Sequence, residues 1–202
     1  SNQKMQSKIN YEITGLDLLL PKDSNKGNLI IFKHSQHLEL DARLLAMNAP
    51  MYGVSRSHNS ASMNKIQDKG RLSSLKDTAD KNNPRKFMKW LKSGKNVLYA
   101  IDQDYGWDHS VRLNFFQQEA ATITTTKKII DATNSNLLFI NSYYENNKLI
   151  LKMELIDHLE LDSTALAQKI NDIMEEKILL HPAEYLWIHR RFKSKKKKNF
   201  YK

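Results

Sequence analysis

The sequence contains no cysteine, which excludes disulfide bonds, a thiol nucleophile and any metal site built from thiolates. It also lacks an apolar run of the roughly 20 residues that a membrane-spanning helix requires, and it lacks the pattern of a signal peptide. Residues 1–5 do not resemble a natural beginning, and we interpret the chain as N-terminally truncated by an internal cut, which leaves room for a membrane anchor upstream.

Acidic residues are missing from the last part of the chain, and this explains most of its net charge of +10. Residues 190–202 include eight lysine or arginine residues and no acidic residue, so the rest of the chain carries a net charge of only +2. A block of like charges is usually solvated and disordered. We expect this basic tail to attract anionic lipid headgroups, at about 1 kcal/mol for each basic residue close to a charged bilayer. The near-neutral remainder offers no basic face for a duplex, so we expect no nucleic-acid partner.

Apolar runs alternate with helical apolar stripes along the chain, which predicts an α/β protein with a central sheet flanked by helices. At 202 residues, with 40% hydrophobic and 27% charged residues, the composition fits one soluble domain. We divide the chain into an N-terminal linker at 1–27, a central domain at 28–193 and a basic tail at 194–202. The predicted strands are 29–32, 51–55, 96–101, 137–142 and 149–155, and the predicted helices are 38–47, 61–70, 84–94, 122–132 and 164–180.

One stretch, residues 28–43, combines an apolar run with a histidine and a carboxylate. His34 follows a predicted buried strand, and Glu39 lies in the first turn of the next helix. On one continuous helix a separation of five residues places two side chains about 140° apart, so they meet only if the strand ends near His34. A carboxylate bonded to one ring nitrogen would fix the tautomer and let the other nitrogen act as a general base. From the spacing alone, a solvated loop histidine remains the more common interpretation.

Two alternative uses of the same stretch remain open from the residues. His37 and Asp41 are four residues apart and share a helix face, which we interpret as a surface pair worth a few tenths of a kcal/mol. Together with His34 and Glu39 they offer metal-ligating side chains. The remaining histidines are scattered along the chain, and we therefore predict no metal site.

Other polar side chains follow predicted strands or helices. Asp102 and Asp104 come directly after the strand at 96–101, at the end where α/β proteins place functional groups, although aspartate is also common in turns. Arg56 and Arg71 each follow a predicted element and could bind an anion through two hydrogen bonds, although isolated arginines are more often solvated.

Six blocks, in order, resemble the late acyltransferases of lipid A biosynthesis, the lauroyl/myristoyl transferase family. The similarity covers residues 28–193, and no single block is as specific as their common order. The blocks are His34 to Leu40 (similar to His-x-x-x-x-Glu), Gly53 to Asn59 (similar to Tyr-Arg-Pro-x-Asn), Lys69-Gly70-Arg71, Asp102 to Gly106 (Asp-x-Asp-Tyr-Gly), Glu119 to Thr122 (Glu-x-x-Thr) and Pro182 to Lys193.

This resemblance implies a fold like that of glycerol-phosphate acyltransferases and transfer of a fatty acyl chain from acyl carrier protein to a hydroxyl of a Kdo-bearing lipid A precursor. It implies the cytoplasmic face of the inner membrane as the location, and no cofactor beyond the phosphopantetheine of the carrier. His34 would be the general base with Glu39 as its partner. Arg71 would stabilise the oxyanion or bind phosphate, and Arg56 and Asp104 would shape the acceptor site.

Two positions depart from the family pattern: Ser57 replaces the proline after the arginine, and Asp41 stands where glycine is common. Either change could alter the choice of acceptor or acyl chain. Two other functions therefore stay open from the sequence. One is an acyltransferase of the same fold that acts on a phospholipid or an ornithine-type lipid. The other is a basic membrane-binding module without enzymatic activity, which only the tail supports.

Overall fold

The structure, a computed structural model, describes residues 8–20, 26–56 and 60–195. At its centre is a seven-stranded sheet with the strand order β1-β9-β8-β2-β5-β3-β4. β6 and β7 form a separate antiparallel hairpin. The strands are β1 (Tyr11–Thr14), β2 (Asn28–Phe32), β3 (Met51–Ser55), β4 (Asp77–Asp80), β5 (Asn96–Ala100), β6 (Val111–Phe115), β7 (Gln118–Thr122), β8 (Asn136–Glu145) and β9 (Lys148–Leu155).

The central sheet is mixed because β8 and β9 pair antiparallel, whereas β2, β3, β4, β5 and β8 all run parallel. The carboxyl ends of these five parallel strands therefore lie along one edge of the sheet. Strands β2 and β5 are almost entirely buried, in agreement with their continuous apolar sequences. In open α/β sheets, ligands bind at the edge where such strands end.

Five α-helices lie among the described residues: α1 (Leu38–Asn48), α2 (Ala61–Leu72), α3 (Pro84–Lys92), α4 (Thr125–Thr133) and α5 (Ser163–Leu180). Residues of α3, α4 and α5 belong to the core on one face of the sheet, and residues of α1 belong to the core on the other face. The longest helix, α5, buries a stripe of apolar residues spaced four apart, and the Asp162 side chain accepts hydrogen bonds from two backbone N–H groups of its first turn.

The prediction of a single α/β domain with a mixed central sheet is confirmed. Several predicted element ends are wrong. The helix predicted at 122–132 begins only at Thr125, because Thr122 is the last residue of β7, and Gly70 lies inside α2 instead of ending it. Among the described residues, no helix combines the length and the apolar content required to cross a bilayer.

The predicted N-terminal domain boundary needs correction. Tyr11 lies opposite Leu149 in the pairing of β1 with β9, and Leu19 is 2% exposed, so these residues belong to the domain and not to a linker. At the other end, Arg191 is 4% exposed and donates hydrogen bonds of 2.8 Å to the Ala121 carbonyl and the Thr122 hydroxyl. The basic segment therefore begins inside the fold. The remainder of the predicted tail, residues 196–202, lies outside the described residues.

Candidate active site

Two polar residues meet at the edge of the sheet where β2 and β5 end. Phe32 lies opposite Ala100 in the pairing of these strands, and His34 and Asp102 each follow two residues later. The register therefore brings both residues to the same level on neighbouring strands. The prediction that the β2 strand ends close to His34 is confirmed, because β2 ends at Phe32 and α1 begins only at Leu38.

Asp102 holds His34 through two hydrogen bonds. One Asp102 carboxylate oxygen forms a short hydrogen bond with Nδ1 of the His34 ring, and the other accepts the His34 backbone N–H at 2.9 Å. The Asp102 side chain is 1% exposed and the His34 side chain 17% exposed. Since a carboxylate only accepts hydrogen bonds, the imidazole Nδ1 carries the proton and Nε2 has a free lone pair. The Gln103 amide nitrogen lies 3.1 Å from Nε2 and donates to it.

In this buried pair, the negative charge of Asp102 and the positive charge of protonated His34 stabilise each other. Burial alone lowers the pKa of His34, but the attraction of Asp102 and the hydrogen bond to it outweigh burial and raise that pKa above its ordinary value. In the same way, burial raises the pKa of Asp102, and the charge and hydrogen bond of His34 reverse this effect and lower it. Asp102 is therefore a carboxylate throughout the physiological pH range, and it stabilises the imidazolium form of His34.

His34 and Gln103 line a cavity of about 550 Å³. Its apolar wall includes Phe32, Leu75 and Leu98, and among its polar side chains Arg56 and Gln103 follow β3 and β5. This size and this mixture of an apolar wall with a few polar groups are typical of small-molecule sites. Among the described residues, a second cavity of about 300 Å³ shares five lining residues with the first: Glu39, Ala42, Gln67, Arg71 and Leu75.

The predicted hydrogen bond between Glu39 and His34 is wrong. The Glu39 carboxylate instead accepts hydrogen bonds from Arg71, at 2.6 Å from Nη2 and 3.1 Å from Nε. Glu39 lies in the first turn of α1, and Arg71 lies in the last turn of α2, so the pair joins the two helices beside the cavity. The position that we assigned to Glu39 is occupied by Asp102, a residue 68 positions from His34 in the chain.

The other predicted site residues lie in three different environments. Arg56 directly follows β3 and lines the cavity. Arg71 also lines the cavity, but its charge is paired with Glu39. Asp104 is 3% exposed and does not line the cavity; its carboxylate accepts hydrogen bonds from the Ser194 backbone N–H at 2.7 Å and the Ser194 hydroxyl at 2.6 Å. It thus anchors the end of the described chain.

His37 and Asp41 are not the exposed surface pair that their spacing predicts. His37 Nδ1 lies 2.9 Å from Asp41, and its Nε2 lies 2.9 Å from Glu184; the His37 and Asp41 side chains are each 8% exposed. Asp41 also accepts a hydrogen bond of 2.6 Å from the Ser142 hydroxyl. Burial lowers the pKa of His37, but the two carboxylates raise it overall. This network joins α1 to the end of β8 and to residue 184.

Residues 182–189 complete the site. Because they lie far from His34 in the sequence, the sequence did not predict that they contact it. Ser35 and Tyr185 form an isolated β-bridge, and the Leu186 N–H donates to the His34 carbonyl at 2.9 Å. The His189 ring lies 5.4 Å from the His34 ring, and its Nε2 lies 3.0 Å from the Tyr185 hydroxyl. This segment, the closing block, therefore holds the His34 carbonyl, while Asp102 holds its backbone N–H.

One group of possible metal ligands is present among the described residues, and it differs from the cluster considered from the sequence. Ligand atoms of His34, Asp102 and His189 lie within 4.8 Å of one another. His34 Nδ1 is engaged by Asp102, and His189 Nε2 by Tyr185, so hydrogen bonds already use one nitrogen of each ring. Burial lowers the pKa of His189, which keeps its imidazole neutral beside His34.

Comparison with known proteins gives relatives of one kind. A lipid A biosynthesis palmitoleoyltransferase of Escherichia coli (strain K12) is 32% identical over 191 residues, which cover 92% of this chain and 62% of the relative. A lipid A biosynthesis lauroyltransferase of the same strain is 32% identical over 91% of this chain and 62% of its own length. A lipid A biosynthesis acyltransferase of Haemophilus influenzae is 30% identical over 87% of this chain and 58% of its own length.

The chain thus spans about three fifths of the length of these relatives. The similarity extends well beyond the His34 region, because residues 1–194 match the family described as bacterial lipid A biosynthesis acyltransferase. The dyad of His34 and Asp102, the arginine that follows β3 and the closing block all lie within this match. This chain belongs to the bacterial lipid A biosynthesis acyltransferase family.

Proposed function

We propose that this chain carries the catalytic site of an acyltransferase that moves a fatty acyl chain from acyl carrier protein to a hydroxyl of a Kdo-bearing lipid A precursor. Membership of the family supports acyl transfer in lipid A biosynthesis. The single observation that carries the chemistry is the hydrogen bond of a buried Asp102 to His34, a histidine that lines a cavity with an apolar wall.

His34 is the general base in this mechanism. Its Nε2 takes the proton of the acceptor hydroxyl as the hydroxyl oxygen attacks the thioester carbonyl, and its Nδ1–H stays bonded to Asp102. Asp102 keeps the ring in the required tautomer and stabilises the imidazolium ion. The proton then passes from Nε2 to the thiolate that leaves when the carbon–sulfur bond breaks. A positioned base of this kind contributes typically about 10²–10⁴-fold to the rate.

Gln103 is the nearest donor for the oxyanion of the tetrahedral intermediate. Its amide nitrogen now donates to His34 Nε2 at 3.1 Å, the nitrogen that the acceptor hydroxyl must reach. When the hydroxyl replaces this contact, the Gln103 amide becomes free to donate to the developing negative charge beside it. Before substrate binds, Gln103 therefore supplies the hydrogen bond to His34 Nε2.

The cavity takes the acyl chain along its apolar wall of Phe32, Leu75 and Leu98. Glu39 contributes through Arg71: their ion pair fixes the distance between α1 and α2, and so the width of the cleft that the acyl chain enters. We retain the sequence-based prediction that Arg56 contacts the acceptor. For Asp104 we propose an indirect part, since it holds the closing block through Ser194.

The wider setting follows from the same proposal. The donor is an acyl carrier protein, whose phosphopantetheine is the only prosthetic group required, and the fold is of the glycerol-phosphate acyltransferase type. The protein acts at the cytoplasmic face of the inner membrane. The four lysines within residues 196–202 carry a charge complementary to anionic headgroups and to an acidic carrier, either of which they would attract.

The test is acyl transfer by the purified protein, followed by mass spectrometry of the lipid product. We expect His34→Ala to reduce the rate by at least about 10²-fold, whereas His109→Ala, a change at an exposed histidine outside the cavity, keeps wild-type activity. Full activity of a folded His34→Ala protein would refute the mechanism. Offering a phospholipid and an ornithine-type lipid as competing acceptors identifies the acceptor, since acylation of either in preference to the lipid A precursor would overturn the acceptor assignment.

A further inference from the structure

Two cations lie side by side at the sheet edge that carries His34. Arg56 follows β3 and Lys81 follows β4, and these strands pair with Ser55 opposite Asp80. The Lys81 backbone N–H donates to the Ser55 carbonyl at 2.8 Å, which continues this register one step beyond the strands. Both side chains line the same cavity as His34. The sheet therefore presents two neighbouring positive charges to the cavity.

These charges differ from that of Arg71, the third cation of the cavity. Arg71 is paired with Glu39 through hydrogen bonds of 2.6 and 3.1 Å. Within residues 8–20, 26–56 and 60–195, neither the Arg56 nor the Lys81 side chain has a hydrogen bond or ion pair with a carboxylate. The Lys81 ammonium instead lies 4.1 Å from the centre of the Tyr105 ring.

Lys81 has more positive than negative charges around it. Burial lowers the pKa of Lys81, and the positive charges of Arg56 and Lys193 lower it further; Asp80 is the carboxylate that opposes them. One oxygen of Asp80 also accepts the Asn82 backbone N–H at 2.8 Å. Lys81 is half-buried and Arg56 is exposed, and like charges held this close together repel each other unless an anion joins them.

We propose that Arg56 and Lys81 form an anion subsite that binds a phosphate group of a substrate while its reacting group lies at His34. This inference rests on the proposed function. In the strand order, β3 and β4 are two and three positions from β2, which at about 4.8 Å per strand places the phosphate about 10–14 Å from the base. The phosphate is thus remote from the bond that forms, and Arg56 and Lys81 act in binding and not in the chemical step.

Two phosphates have the required chemistry. One is the phosphodiester of the phosphopantetheine arm of the acyl carrier, and the other is a phosphate carried by the lipid acceptor. Arg56 supplies a planar fork that matches two phosphate oxygens, and Lys81 supplies a point charge held against an aromatic ring. If the phosphate belongs to the acyl carrier, these side chains affect the KM of the carrier. If it belongs to the lipid acceptor, they affect the KM of the lipid.

The kinetic test uses Lys81→Gln and Arg56→Gln, with Lys76→Gln as the control because Lys76 is exposed and does not line the cavity. We expect the KM of one substrate to rise about 10- to 100-fold for each site variant, as for loss of a hydrogen bond to a charged group, with kcat little changed and the control unaffected. A rise confined to the acyl carrier assigns the subsite to the donor, and a rise confined to the lipid assigns it to the acceptor. Unchanged KM values, or a loss of kcat alone, overturn the proposal.

A second measurement does not depend on turnover. An amine-modifying reagent labels Lys81 and Lys76 in the folded protein, and the labelled positions are read by mass spectrometry. Inorganic phosphate at millimolar concentration should slow the labelling of Lys81 but not that of Lys76, and Arg56→Gln should remove this protection. If phosphate protects neither lysine, or both equally, the subsite does not exist. Protection by phosphate in a protein whose His34→Ala variant keeps full activity would leave the subsite intact and refute the proposed mechanism alone.

Discussion

The choice of carboxylate partner for His34 can be tested by two isosteric changes, Asp102→Asn and Glu39→Gln. Asp102 bonds both the ring and the backbone N–H of His34 and is almost entirely buried. Replacing one oxygen by an amide NH₂ presents a donor to Nδ1, which favours the tautomer with the proton on Nε2. In a triad hydrolase the same kind of change costs about 10⁴-fold in kcat, or about 5.5 kcal/mol. We expect Asp102→Asn to reduce kcat by about 10²–10⁴-fold.

Glu39→Gln removes a different contact. The Glu39 side chain is 57% exposed and bonds only to Arg71 among the described residues. An exposed ion pair of this kind is worth about 0.2–1 kcal/mol of stability, so we expect a change of less than about tenfold in kcat, the factor that 1.36 kcal/mol produces. Initial rates of acyl transfer and thermal unfolding of both variants measure these effects. The reasoning is refuted if Glu39→Gln is as inactive as His34→Ala while Asp102→Asn stays within tenfold of the wild type.

The pH dependence separates a catalytic from a structural effect of Asp102. The base must be neutral, so kcat/KM rises with pH through the pKa of His34 in the free enzyme. Asp102 raises that pKa, and the acid limb of the wild-type profile should therefore lie above the ordinary value of 6.5. In Asp102→Asn only the opposing effect of burial remains, so the limb should move below 6.5. A limb that does not move contradicts the assignment.

Three further changes test other parts of the molecule. In Gly53→Ala the new Cβ would lie 2.8 Å from Leu75 Cδ1 and push this side chain into the cavity. Mass spectrometry of the product should therefore show shorter acyl chains. An unchanged distribution of chain lengths contradicts the proposal that this cavity binds the acyl chain. Arg191→Ala removes hydrogen bonds to Ala121 and Thr122 and should lower the free energy of unfolding in urea by about 1–3 kcal/mol; an unchanged value shows that Arg191 is not structural. Deleting residues 196–202 removes four lysines and should weaken binding to anionic vesicles by up to about 1 kcal/mol per lysine. If the shortened protein binds these vesicles as tightly as the full chain, the segment does not contribute to membrane binding.

The parts of the fold that follow from local patterns could be predicted from the sequence. The strands β2, β5 and β9 and the helix α5 have continuous apolar runs or four-residue periodicity, and they lie within a few residues of the predicted positions. β1 and β4 were missed because Tyr11–Thr14 and Asp77–Asp80 lack an apolar run. They are strands because each pairs with a neighbour that is distant in the sequence, which no local pattern indicates.

The candidate site shows the same division. The sequence predicts His34 because it follows an apolar run within a recognisable block, but local spacing indicates only nearby residues as its partner. Strand register decides the partner instead, and it selects Asp102. Lys81 follows a strand of polar sequence and carries no motif, so its place in the cavity could not be predicted. Arg191 was predicted to be solvated because it lies in a basic run, yet it fills a buried position between two acceptors.

The contacts of residues 183–186 with the loop around His34 affect the order in which the parts of the site can assemble during translation. Gln36 donates to the carbonyl of Ala183, a residue 147 positions later, and Leu186 holds the carbonyl of His34. At about 5–20 residues per second, translation separates these segments by about 7–30 s. A nascent chain can pair β2 with β5, and so join His34 to Asp102, well before residues 183–186 exist to hold the loop that carries Gln36 and the His34 carbonyl. His34 thus reaches its final position only after residues 183–186 have been synthesised, which makes the proposed site one of the last parts of this domain to form.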